Sequence, residues 1–160
     1  MRDRLRIVGL GSPFGDDRLG WVALEMLQGS AALNEGGAGN ISFVVLDRPG
    51  ALLLTHLHDA ERVIVVDAVR SGAPPGTLHR LEPGKWAASE SVSSHGFGLA
   101  AALELARALD DLPPHLVLHG IEIDPSNAGF SLSEAVRRSL PGLVREIGRE
   151  AGFFARSDVF

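Results

Sequence analysis

A short apolar stretch, residues 5–10, runs directly into Gly9-Leu10-Gly11-Ser12-Pro13-Phe14-Gly15-Asp16-Asp17, and beyond Asp17 the apolar period becomes helical. Leu19, Val22, Ala23, Met26 and Leu27 then fall on one helical face. Strand, glycine-rich turn and helix in that order open a parallel α/β fold and usually form a phosphate cradle. A helix N-terminus carries partial positive charge and free N–H groups, so it attracts anions. Here Asp16 and Asp17 stand where a phosphate would sit. They satisfy the free N–H groups, repel a pyrophosphate and suit a cation. The rival reading is a nucleotide or flavin bound in a doubly wound crevice, supported by Gly9-x-Gly11. Three residues between Gly11 and Gly15 are the wrong spacing for it, and Pro13 removes an N–H that a phosphate would need.

The alternation continues along the chain. Residues 41–46 read as a second strand ending at Asp47, and Pro49 opens a helix through about Leu57. Residues 62–66 form a third strand. Its Val63-Ile64-Val65-Val66 run lacks alternation, as in a parallel strand covered on both faces. A turn at 72–76 precedes a short strand at 77–81, and 82–90 reads as irregular. A helix is expected from His95 to about Leu109, capped by Ser93 or Ser94, and a last strand at 116–123. Ser131 or Ser133 caps a final helix to about Glu150, with Pro141 as a kink or break. The pattern predicts an α/β fold, a three-layer α/β/α sandwich around a mostly parallel sheet of about five strands. Its 160 residues, 1–160, are expected to form a single domain.

Composition removes several functions. The chain has no cysteine, which excludes disulfides, thiolate metal sites and a cysteine nucleophile. Its formal net charge is -5, its only lysine is Lys85 and its longest basic run is Arg137-Arg138, so nucleic acid is not an expected partner. No apolar run approaches the ~20 residues of a membrane span. The chain reads as soluble and cytoplasmic.

In open parallel sheets, ligands bind outside the carboxyl ends of the strands. That rule selects Asp17 after the first strand, Asp47 at the end of the second and Asp67 at the end of the third. Taken singly, Asp67 also reads as a turn aspartate, Asp17 as an ordinary first-turn acid and His95 as a surface or capping histidine. Together, Asp17, Asp67 and His95 make an oxygen–oxygen–nitrogen set suited to nickel, zinc or cobalt, with open positions left for an incoming group. A helix N-terminus also disfavours imidazolium, which keeps His95 free to ligate. His56, His58, His79, His115 and His119 read as solvated or packing residues, with no paired acid nearby in sequence for the last three.

Four segments carry a resemblance. They are the opening Gly-Leu-Gly-Ser-Pro-Phe-Gly-Asp-Asp-Arg-Leu-Gly; Val65-Val66-Asp67-Ala68 with Pro75-Gly76-Thr77 after it; Ser94-His95-Gly96-Phe97-Gly98-Leu99; and Gly120-Ile121-Glu122-Ile123-Asp124-Pro125 followed by Leu132-Ser133-Glu134-Ala135-Val136. In this order they resemble the hydrogenase maturation endopeptidases. The resemblance implies a protease that removes a C-terminal extension from a nickel–iron hydrogenase large-subunit precursor. Asp17, Asp67 and His95 take the places of the family's acid and imidazole residues, both catalytic and metal-contacting. The nickel is carried by the substrate, and zinc or another divalent ion can replace it. Ser12 stands where the family often has Asn. Asp47-Arg48-Pro49-Gly50 replaces a Gly-Gly-Thr run linked to cleavage, which makes Asp47, Arg48 and Gly50 the expected substrate-binding residues. A non-catalytic assembly chaperone and a self-contained metallohydrolase are the alternatives.

Overall fold

The structure is a computed structural model and describes residues 3–30, 41–47, 51–83, 85, 99–127 and 129–156. Strand β1, Asp3–Gly11, leads into a 3-10 turn, Gly15–Arg18, and helix α1, Leu19–Gln28. There follow β2 (Ile41–Asp47), α2 (Ala51–Leu57), β3 (Ala60–Val69) and β4 (Leu78–Leu81). Helix α3 (Leu99–Ala108), β5 (His115–Glu122) and α4 (Glu134–Arg156) complete the described chain. The strands form one sheet in the order β2-β1-β3-β5-β4. Among the described strands, only β4, on the edge beside β5, runs antiparallel. This is the expected mostly parallel sheet.

Side chains alternate across the strands and divide the core in two. Leu5, Ile7, Ile64, Val66, Val117 and Ile121 face α1 and α4, where they meet Leu19, Ala23, Leu27, Val136, Leu143 and Ile147. Val8, Leu10, Val63, Val65, Leu116 and Leu118 face the opposite way, onto Leu53 and Leu57 of α2 and Leu99, Leu103 and Ala106 of α3. The result is the expected three-layer sandwich. Because β3 is covered on both faces, its residues 63–66 show no alternation in hydropathy.

The opening glycines serve packing. A Cβ on Gly20 would lie 2.2 Å from the Leu10 carbonyl oxygen and 2.7 Å from that of Val66, and one on Gly9 would lie 2.6 Å from the Gly20 oxygen. Glycine at these positions lets the first turn of α1 lie directly on β1 and β3.

Several boundaries differ from the sequence reading. β3 runs on to Val69, so Asp67 lies inside the strand, paired in register with Gly120, and not at its end. Helix α4 passes through Pro141 and continues to Arg156. Leu140 and Leu143 on either side are buried, and that packing outweighs the one backbone bond proline removes. Ser133, of the two serines considered, caps α4, its Oγ accepting the Val136 N–H at 3.3 Å. Arg6, within the apolar stretch, ties β1 to α2, its guanidinium donating to the carbonyls of His56 (2.9 Å) and His58 (2.7 Å) at the end of α2. The expected start of a helix at His95 and the expected helix opening at Pro49 lie outside the described residues. Among the described residues, no helix is long and apolar enough to cross a membrane.

Candidate active site

The turn after β1 folds across the carboxyl edge of the sheet. Asp17 N–H donates to the Phe14 carbonyl and Ser12 N–H to the Asp17 carbonyl, each at 3.1 Å. Gly15 has φ 54°, in the left-handed region that favours glycine. This tight turn sends its two acids to different places.

Asp16 points inward and is 5 % exposed. Its Oδ1 accepts the Ser133 N–H at 2.6 Å, and its Oδ2 accepts the Ser133 hydroxyl at 2.8 Å and the Asp124 N–H at 3.0 Å. The expectation that both acids satisfy the helix following the turn is therefore corrected. Asp16 serves the start of α4 and the loop after β5, because the Gly15 turn aims it across the edge.

Asp17 faces a cleft of about 320 Å³ that it lines with Phe14, Arg70, Asp124, Asn127 and Phe130. Its Oδ1 lies 4.0 Å from Nη2 of Arg70, the residue that follows β3. The rings of Phe14 and Phe130 pack at the cleft mouth with centroids 5.7 Å apart, and both are exposed. Arg18 steadies this rim by donating to the Phe130 carbonyl at 3.3 Å. Across the cleft, hydrogen bonds from the Ser126 hydroxyl and N–H hold the Asp124 carboxyl below the usual carboxylate range.

Asp67 is buried, and its Oδ1 accepts the Ala68 N–H at 2.8 Å. By strand alternation it shares the face of Val63 and Val65, the face covered by α3. The segment leading into α3 contains His95, which lies outside the described residues. Asp47 ends β2 opposite Gly11, so a third carboxylate does reach this edge. Arg48 and Gly50 also lie outside the described residues. Among the described residues, no group of three His, Asp or Glu side chains is placed to hold a metal. Asp17 opens into the cleft, whereas Asp67 is buried within β3, two residues before its end.

Two polar clusters escaped the sequence reading. Glu122 is buried at the end of β5; its carboxylate accepts the Ser71 N–H at 2.8 Å and the Ser71 hydroxyl, and lies 3.2 Å from Nε2 of His79. His119 is buried in β5 with its Nε2 2.6 Å from Oε2 of Glu150, which also pairs with Arg80 at 2.7 Å. Burial alone would raise the Glu150 carboxyl, but hydrogen bonds from His119 and Arg80 override it and hold it at about 2. His79 and His119 thus do have acid partners, 43 and 31 residues away in the chain. Alternation within each strand was the only signal available for them.

The fold is a three-layer α/β/α sandwich with an acidic turn after its first strand. The chain belongs to the hydrogenase maturation protease family, whose HycI description matches residues 32–150. That span includes Asp67 and His95 and starts after Asp17. The hydrogenase expression/formation protein HupD of Thiocapsa roseopersicina is 28% identical over 139 residues, covering 84% of this chain and 61% of that protein. HupD of Bradyrhizobium diazoefficiens is 28% identical over 140 residues, 84% of this chain and 71% of the relative. The chain thus spans about three fifths of the Thiocapsa protein. In fold it is similar to the hydrogenase maturating endopeptidase HybD from E. coli, with a TM-score of 0.76 at 22% identity over 93% of this chain and 94% of that one. The [NiFe] hydrogenase maturation protease HybD from Thermococcus kodakarensis gives a TM-score of 0.68 at 25% identity, over 92% and 99% of the two chains.

Proposed function

We propose that this chain is an endopeptidase that removes the C-terminal extension of a nickel–iron hydrogenase large-subunit precursor after metal insertion. The observation that carries the reading is an acid, Asp17, opening into a cleft, with a second acid, Asp67, buried in the central strand β3, in a chain of the hydrogenase maturation protease family. In this reading Asp17, Asp67 and His95 contact nickel already held by the precursor. Zinc or another divalent ion takes its place in the isolated protein. A three-donor site leaves positions for the precursor's own ligands, and the arriving metal polarises the scissile carbonyl or a water. Asp47, which ends β2, and Arg48 and Gly50, which follow it in sequence, select the precursor. The single sheet with a helical layer on each face supports reading 1–160 as one domain. The absence of cysteine is in keeping with a reducing cytoplasm.

The test is incubation with a nickel-loaded large-subunit precursor, followed by mass spectrometry of its C-terminus. The wild-type protein is expected to shorten the precursor, and Asp17→Asn and Asp67→Asn to slow the cut by at least about a hundredfold, the scale of losing a positioned acid or base. Tight binding without any cut would instead identify an assembly chaperone. Undiminished cleavage by both variants would contradict the site.

A further inference from the structure

We propose that Arg70 is a competing cation of this site: its guanidinium occupies the Asp17 carboxylate while no metal is present and is displaced when a metal ion takes that carboxylate. The proposal rests on the reading of Asp17 as a metal-facing residue and adds a barrier against free metal. The geometry fits a replaceable counter-ion. The Arg70–Asp17 separation is 4.0 Å, beyond a direct hydrogen bond, and the Arg70 side chain is 48% exposed against 17% for Asp17. Such a pair is weak enough to exchange. Two cations at one carboxylate repel each other, so a metal ion and the guanidinium cannot both hold it closely.

The backbone around Arg70 is fixed, which confines the exchange to its side chain. On one side the Val69 carbonyl accepts the Ile123 N–H at 3.0 Å. On the other, the Ser71 N–H and hydroxyl both donate to the buried carboxylate of Glu122. Glu122 in turn lies against His79 of β4. The arginine therefore stands on a rigid base and opens into the 320 Å³ cleft that it lines with Asp17, which gives the displaced side chain room. Free metal must displace the guanidinium with only the affinity of an incomplete site. A metal delivered within a docked protein brings additional contacts, so Arg70 favours metal presented in a protein over metal in solution.

The experiment is calorimetric titration of the whole chain with Ni²⁺ alone, comparing wild type, Arg70→Gln, Arg70→Lys, Asp17→Asn and the Asp17→Asn/Arg70→Gln double variant. Arg70→Gln is expected to bind Ni²⁺ about three- to tenfold more tightly at low salt, the scale of a partly exposed ion pair. Arg70→Lys should stay within about twofold of wild type, because the charge remains. The gain should shrink at about 0.5 M salt, which screens the pair, and vanish in the Asp17→Asn background. Equal affinities for wild type and Arg70→Gln, with Asp17→Asn weakened, would overturn the role of Arg70 alone. Asp17→Asn binding as well as wild type would overturn the reading of Asp17 on which the proposal rests. Failure of both wild type and Arg70→Gln to bind Ni²⁺ would also overturn the proposal. Thermal melting checks the folding of each variant, and Arg70→Gln is expected to melt with the wild type.

Discussion

Asp16 and Asp17 are neighbours in the chain and do different work. Asp16 takes three donors from the start of α4 and the loop before it, so removing its carboxylate leaves buried N–H groups unsatisfied. Asp16→Ala is expected to destabilise the fold by about 3 kcal/mol, read as a lowered melting temperature and an earlier urea midpoint. Asp17→Asn, on the cleft side, is expected to leave both nearly unchanged while weakening metal binding. A variant pair with the opposite pattern would reverse these assignments. The sequence singled out the acidic pair through its position at the opening turn. It did not show the division of labour, because that depends on the conformation of Gly15 and on Ser133, 117 residues from Asp16. Asp67 was singled out by its place after four apolar β-formers. Arg70 was not singled out, since an arginine after a strand carries no periodic signal and its meaning comes from the Asp17 it faces.

At the scale of elements, periodicity located most of the fold. The unalternating Val63–Val66 run placed a strand in the sheet interior, and β3 indeed lies between β1 and β5. Strand ends were less legible. Asp67 reads as a terminus in sequence, yet β3 continues through it because β5 supplies partners as far as Glu122. Pro141 reads as a break, yet buried neighbours carry α4 past it. Gly20 fixes how α1 sits on the sheet, since any side chain there meets the backbone oxygens of Leu10 and Val66. Backbone cannot yield as a side-chain tip can. Gly20→Ala is therefore expected to cost about 3 kcal/mol or more despite alanine's better helix propensity. A chemical denaturation curve matching wild type would show that α1 shifts without penalty.

For the molecule as a whole, long-range polar pairs join layers that apolar packing alone leaves unspecified. Glu150 of α4 reaches His119 of β5 and Arg80 of β4, tying a helix to the antiparallel edge of the sheet. Its carboxyl is held at about 2 in the folded protein, against an ordinary 4.5. The stability it provides is complete above about pH 4.5 and is lost as the pH falls towards 2. Glu150→Gln is expected to lower the melting temperature at neutral pH and to flatten its fall over that acid window; an unchanged acid limb would contradict the pairing. None of this was legible in the chain, because residues 31 apart or more are brought together only by the topology. The topology also sets Asp17 and Arg70 in one cleft. The decisive experiment on the proposed endopeptidase activity is the rate at which the purified protein shortens a hydrogenase large-subunit precursor, nickel-loaded and nickel-free, followed by mass spectrometry. Loss of the C-terminal extension is expected from the nickel-loaded form and little or none from the nickel-free form. Equal cleavage of the two forms, or no cleavage of either, would contradict it.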